Sequence, residues 1–167
     1  MKRSLIIIIC SILFVSCLLD GSRNFNGIKT ALKWLVVSCH LDGSRNIDGI
    51  DIDYMLIYDA EKEQNTDYCE LVRKSLKKDL SSIKQLALLD YDGGYFYEHG
   101  MILLDIVDRI GENVFIESLK DISLKQKEKV LECMYAGIEL RNSQKNDNNY
   151  TLKSNYPNIY YYLIDYI

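Results

Sequence analysis

Apolar residues recur at helical spacing through most of the chain after residue 51. The clearest stretch predicts a helix from Tyr95 to Ile110, which Gly111 is suited to end. Its apolar stripe consists of Met101, Ile102, Leu103, Ile106, Val107 and Ile110. A second stripe, which includes Val130, Leu131 and Met134, follows in the next long helical pattern. We therefore expect these two helices to bury their stripes against each other.

Shorter helices are predicted on the N-terminal side of the long one. The first has an apolar stripe led by Tyr54, Ile57 and Tyr58. After a polar break, Thr66 can cap a second helix. A third precedes the turn at residues 90–94, where glycine permits a positive φ.

Start signals also mark the C-terminal part of the chain. Ser123, followed three residues later by Gln126, forms a capping box at the start of a long helix. Pro157 suits the first turn of a final helix, which we expect to run to Ile167. The stretch 142–155 lacks an apolar period and is predicted to be an exposed loop. No alternating pattern indicates a hairpin, so residues 51–167 are predicted to form one all-α domain of six or seven antiparallel helices.

The first 17 residues have a different pattern, in which Lys2 and Arg3 precede an apolar run from Leu5 to Val15. This arrangement is typical of a secretory signal peptide, and the run is shorter than the ~20 residues that a spanning helix needs. It ends at Ser16-Cys17, which resembles the lipobox of bacterial lipoproteins, where a small residue precedes an invariant cysteine. The resemblance implies cleavage before Cys17, acylation of its thiol and anchoring in the bacterial cell envelope, on the periplasmic or outer side. Phe14 departs from the usual leucine, so a plain cleaved signal is the alternative.

A fourteen-residue string occurs twice, as Val15–Ile28 and Val37–Ile50, with eleven identical positions. The residues before the second copy again place lysines ahead of an apolar run that ends in Ser-Cys. We interpret the repeat as a local duplication, because two copies are too few for a solenoid. Residues 18–50 are therefore predicted to form a polar tether between the anchor and the helical domain.

The second copy also resembles a calcium-binding loop in its composition. Asp42, Ser44, Asn46, Asp48 and Asp51 are interleaved with glycines. In neither possible register do both the central glycine and the terminal glutamate of an EF-hand fall in place. We therefore predict no metal site here and no cofactor.

Composition narrows the function classes. The chain has 167 residues, a formal net charge of −4 and 13 tyrosines. An acidic protein lacks the basic face that general nucleic-acid binding requires, so nucleic acid is not an expected partner. Tyrosine is frequent at protein interfaces because it joins a rigid apolar ring to a polar tip.

Few residues suggest catalysis. Glu98 and His99 are adjacent, close to the glycine turn that contains Asp92, and could serve an envelope hydrolase. Asp105, Asp108 and Glu112 lie at helical spacing on the outer side of the same helix. They could form an acid–base dyad, but a solvated face is the simpler interpretation. Cys39, Cys69 and Cys133 show no metal-binding spacing, and their disulfide state stays open.

The sequence thus predicts an exported helical protein that binds another protein without catalysis. Small exported helical inhibitors and immunity proteins are an analogy for such a role. The predicted contact surface is the tyrosine-rich final helix, namely Tyr156, Tyr160, Tyr161, Tyr162 and Tyr166. The alternative is a cell-envelope hydrolase that uses Glu98 and His99.

Overall fold

The computed structural model describes residues 44–146 and 149–165, and this part of the chain is mostly helical. It contains a two-stranded sheet and eight helices: β1 Ser44–Ile47, β2 Ile50–Asp53, α1 Tyr54–Lys62, α2 Tyr68–Leu76, α3 Leu80–Ala87, α4 Gly93–Ile110, α5 Glu112–Ser118, α6 Leu124–Lys145, α7 Leu152–Asn155 and α8 Pro157–Ile164. The predicted all-α class is confirmed. The predicted signal peptide, Cys17 and most of the predicted tether lie outside the described residues.

The strands β1 and β2 form an antiparallel hairpin that the sequence analysis did not predict. Asp48 and Gly49 make its two-residue turn with positive φ angles of 50° and 83°, which suits the twist of a hairpin. Ile47, Ile50 and Ile52 are buried in the core of the domain. The predicted tether is therefore wrong for residues 44–50, because the Asp-Gly dipeptide is a tight turn and the isoleucines on either side of it are packed.

The two long helices α4 and α6 form the centre of the domain, as their stripes predict. Leu103, Ile106 and Val107 of α4 are buried, and so are Val130, Leu131 and Met134 of α6. The helices touch backbone to backbone where Gly100 meets Gly137. A Cβ atom on Gly100 would overlap the carbonyl oxygen of Cys133 and lie 2.8 Å from the Gly137 nitrogen. Glycine at both positions is thus what allows the close contact.

The C-terminal part differs from the predicted exposed loop. Helix α6 continues to Lys145 and ends at Asn146, which has the left-handed conformation with φ 54°. Thr151 caps the short helix α7 inside the same stretch. The sequence shows no apolar period in this stretch because most of its side chains are polar. Pro157 does occupy the first turn of α8, as predicted, but that helix ends at Ile164.

The residues of helix α1 that face the core are not the predicted ones. Its buried residues are Leu56 and Ala60, whereas the Tyr58 side chain is 44% exposed. The prediction counted tyrosines as core residues, although a tyrosine can lie at the surface with its hydroxyl in water.

None of the helices in the described ranges is long and apolar enough to cross a membrane.

Candidate functional site

An aromatic surface lies on α6, α7 and α8. Tyr161 is 54% exposed, and its ring meets that of half-buried Tyr160 edge to face with the centroids 5.3 Å apart. The ammonium of Lys153 lies 5.7 Å from the Tyr160 centroid and 5.9 Å from the Tyr161 centroid. Tyr135 of α6 is 41% exposed, and its pKa is raised first by partial burial and then by the neighbouring Tyr160. We call Tyr135, Lys153, Tyr160 and Tyr161 the tyrosine patch.

The other tyrosines that were predicted to contact a partner either have structural roles or lie outside the described residues. Tyr156 is buried, and its hydroxyl donates to Asp108 over 2.6 Å, so it is not exposed to a partner. The half-buried Tyr162 donates its hydroxyl to the Leu119 carbonyl over 2.7 Å. The Lys127 ammonium covers the Tyr162 ring at 4.1 Å from its centroid. Tyr166 lies outside the described residues.

A buried arginine organises the region beneath α8. Arg141 of α6 donates to the hydroxyls of Tyr150 and Tyr156, over 2.9 and 2.7 Å, and pairs with the carboxylates of Asp105 and Asp108. The pKa of the Tyr156 hydroxyl is raised, mainly by burial and then by its hydrogen bond to Asp108. The prediction of a merely solvated face is therefore corrected for Asp105 and Asp108, which neutralise a buried cation.

Glu112 also has a defined partner. One of its carboxylate oxygens accepts from the Ile159 backbone N–H over 2.9 Å, and the other accepts from the Asn158 amide over 3.0 Å. The carboxylate therefore satisfies a free N–H at the start of α8 and interacts favourably with the helix dipole. Together with the Arg141 cluster, this contact holds α8 in place. The three carboxylates considered as a possible acid–base group are thus engaged in structure.

His99 is a core residue and not a surface catalyst. Its Nδ1 lies 2.8 Å from the Tyr68 hydroxyl, and the Tyr91 ring centroid is 4.8 Å from the centre of the imidazole. Burial lowers the pKa of His99 to about 3, against the smaller opposite effect of the Leu86 carbonyl. Burial likewise raises the pKa of the nearby Cys133 thiol to about 12. Both groups are neutral at ordinary pH, and Cys69 and Cys133 are free thiols.

Glu98 has a different environment from its neighbour His99. It lies on the wall of a groove of about 260 Å³, together with Asp51, Asp53 and an apolar floor. Burial raises the pKa of Glu98, and the negative charge of Asp53 adds to the effect. Asp92 is exposed at the start of α4 and makes no side-chain cap there. The structure therefore does not bring Glu98 and His99 together as an acid–base pair.

The described part of the chain contains no cluster of side chains suited to binding a metal ion. No group of three or more histidine, cysteine, aspartate or glutamate side chains could hold an ion there. In the hairpin, Asp51 accepts from the Asn46 amide over 2.6 Å, and Asn46 accepts from the Gly49 backbone N–H over 2.9 Å. These oxygens stabilise the turn. Asp42 of the calcium-like string lies outside the described residues.

Two features of these sites were missed in the sequence analysis. The burial of His99 could have been found, because it precedes Ile102 and Leu103 by three and four residues and so shares their face. The burial of Arg141 had no such signal, because an arginine next to Leu140 looks like a normal surface residue.

No protein family, no curated protein and no solved structure matches this chain.

Proposed function

We propose that this chain is an exported, lipid-anchored protein of the bacterial cell envelope that binds another protein without catalysis. An inhibitor or immunity-type role is the form of this function that we favour. The observation that supports it is the tyrosine patch, in which Tyr135 and Tyr161 are 41% and 54% exposed. Tyrosine offers large contact area with few rotatable bonds, so it loses little entropy on binding.

The patch has a second feature that suits an interface. The Lys153 ammonium lies near two ring faces and so holds a positive charge over aromatic surface. Tyr160 packs against the hydrophobic core, so the neighbouring Tyr161 is exposed on a helix whose position is fixed. Ordered aromatic residues of this kind are the usual hot spots of protein interfaces.

A cell-envelope hydrolase is the second candidate function. The raised pKa of Glu98, in a groove beside Asp53, favours it because a general acid needs a carboxyl that keeps its proton. His99 argues against it, because the imidazole is buried and is engaged by Tyr68.

The contact surface can be tested with the double variant Tyr160→Ala/Tyr161→Ala. We expect it to bind the partner captured from the producing organism at least about 30-fold more weakly, since truncated aromatic hot spots cost about 2 kcal/mol or more. Affinity would be measured by titration with the purified partner. Tyr58→Ala is the matched control, because Tyr58 is similarly exposed at 44% but lies on α1.

The same assay separates the two candidate functions. If the protein acts by binding, each variant, Glu98→Gln included, should lose biological activity only to the extent that it loses affinity for the partner. If Glu98→Gln folds normally and keeps its affinity for the partner but abolishes activity, while the double tyrosine variant keeps activity, the hydrolase is the better interpretation.

Export and anchoring are tested at Cys17. We expect Cys17→Ala to lose its lipid and to leave the membrane fraction or to accumulate with its signal uncleaved, because acylation of that thiol precedes cleavage in bacterial lipoproteins. Cell fractionation with mass determination of the N-terminus measures this. Cys10→Ala, within the apolar run, is the control. A processed, membrane-bound Cys17→Ala protein would contradict lipidation.

A further inference from the structure

The groove beside Glu98 combines an apolar floor with carboxylates. Asp51 and Asp53 of the hairpin and Glu98 of α4 supply its negative groups. The remaining lining residues are Ile52, Leu56, Met101, Ile102, Leu140 and Gln144. We call this site the acidic groove. Its volume, about 260 Å³, is large enough for one long side chain but small for a folded segment.

None of the three carboxylates forms an ion pair with a cation in the described part of the chain. Asp51 accepts from the Asn46 amide, and Asp53 accepts from the Met55 backbone N–H over 2.6 Å. These are neutral donors, so the negative charge of the groove is not compensated. The carboxylates Asp105 and Asp108, in contrast, share the guanidinium of Arg141.

Of the three carboxylates, Glu98 is the one with a buried oxygen that lacks a hydrogen-bond donor from the residues that the structure describes. Its Oε2 atom is shielded from solvent and has no hydrogen-bond donor within the described residues. A shielded carboxylate oxygen without a donor is costly, and a cation that supplies N–H groups would remove that cost. The half-buried side chains of Met101 and Leu140 line the same groove and offer apolar surface to an aliphatic chain.

We propose that the acidic groove binds a lysine side chain presented by the protein partner. The four-carbon stem lies on the apolar floor, and the ammonium donates to Glu98 and the neighbouring aspartates. Charge complementarity selects this occupant, because an apolar side chain would supply neither a counter-charge to the three carboxylates nor a donor to Glu98. The proposal rests on the protein-binding function, and it adds a second contact with a defined chemical preference to the tyrosine patch.

The test uses Nα-acetyl-lysine N-methylamide as the probe and its uncharged counterpart, Nα-acetyl-norleucine N-methylamide, as the reference. Each is titrated into the full chain labelled with ¹³C, and the Glu98 carboxyl resonance is followed by NMR. We expect the lysine probe to shift this resonance with saturation and to bind at least about tenfold more tightly than the norleucine probe. We also expect it to lower the pKa of Glu98, because a bound ammonium stabilises the carboxylate.

Two variants make the assignment specific. Glu98→Gln keeps the side-chain volume and should weaken the lysine probe by about tenfold or more, monitored at the Met101 methyl resonance. Glu139→Gln, an exposed glutamate of α6 that does not line the groove, should leave the affinity unchanged. Circular dichroism confirms that both variants are folded.

Three results would overturn the proposal: equal binding of the norleucine probe, no saturable shift with the lysine probe, or displacement of the lysine probe by stoichiometric calcium. The last would indicate a metal site. The double tyrosine variant should still bind the lysine probe. If the probe fails while that variant loses the protein partner, the groove assignment is wrong and the protein-binding function stands. If the probe binds and the double tyrosine variant keeps its partner, the tyrosine patch is wrong.

Discussion

His99 shows how one side chain can be assigned to chemistry or to the core. It was a candidate for catalysis because the chain has only two histidines and a carboxylate precedes this one. Its position in α4 puts it on the buried side of that helix, where it contacts Tyr68 of α2 and Tyr91. An imidazole in that place is held neutral by desolvation. Its protonation should then affect stability and not catalysis.

The stability of the protein should decrease on acidification because of His99. Its pKa is about 3 in the fold but near 6.5 in the unfolded chain, so the unfolded state takes up the proton first as pH falls. The stabilising contribution is complete above pH ~6.5 and is lost progressively towards pH ~3. Between pH 7 and pH 5 the loss is about 2 kcal/mol.

Urea unfolding of the wild type and of His99→Gln at both pH values measures this effect. The variant should be less stable at pH 7, and its disadvantage should shrink by about 2 kcal/mol at pH 5. A difference between the two proteins that does not change with pH would show that His99 is accessible to protons in the folded state.

The contact between α4 and α6 depends on more than the two apolar stripes. The stripes predict which sides face each other, and the burial of Leu103 and Val130 agrees with that. The separation of the axes is instead set by Gly100 and Gly137, because neither leaves room for a Cβ atom. The glycines interrupt no pattern in the sequence and have ordinary helical neighbours. Their role is visible only when the two helices are placed together.

Gly100→Ala should destabilise the protein by about 3 kcal/mol, because a methyl group must force two packed backbones apart. Gly94→Ala, in the first turn of the same helix, is the matched control, since no atom lies within 4 Å of the added Cβ. Alanine has the better helix propensity, so the control should be neutral or slightly stabilising. Thermal and urea unfolding measure both variants, and equal stabilities would disprove the close contact.

The boundary of the folded domain lies earlier than the periodic pattern implied. The hairpin of β1 and β2 adds two buried isoleucines, Ile47 and Ile50, to a domain that was predicted to begin at residue 51. The turn of the hairpin is also tied to α4, because the Arg109 guanidinium donates a hydrogen bond to the Asp48 carbonyl. The last residues of the second copy, 44–50, thus belong to the folded domain.

Ile50→Ala should therefore cost about 2–5 kcal/mol, the usual range for emptying a buried aliphatic site. Leu124→Ala is the matched control, because this leucine is 47% exposed, and it should change the free energy of unfolding by about 0.5 kcal/mol or less. Denaturant titration is the measurement. A negligible effect of Ile50→Ala would restore the prediction that residues 44–50 belong to a polar tether.

The sequence was sufficient for features that depend on neighbours along one helix. The span of α4 up to Gly111, the Ser123–Gln126 capping box and Pro157 in the first turn of α8 were predicted because propensity and capping act within a few residues. The all-α class followed from these local patterns. Signals of this kind are readable in a single chain because both partners lie within one or two helical turns.

Only the tertiary structure decided the features that join distant residues. Arg141 meets Asp105 across 36 positions, and Tyr68 meets His99 across 31. The acidic groove brings Asp51 and Asp53 to Glu98, and burial distinguishes Tyr156 from Tyr161 in one tyrosine-rich segment. In each case the residue type permits both a surface and a core role. The free energy that selects between them comes from packing and charge pairing that exist only after the helices have come together.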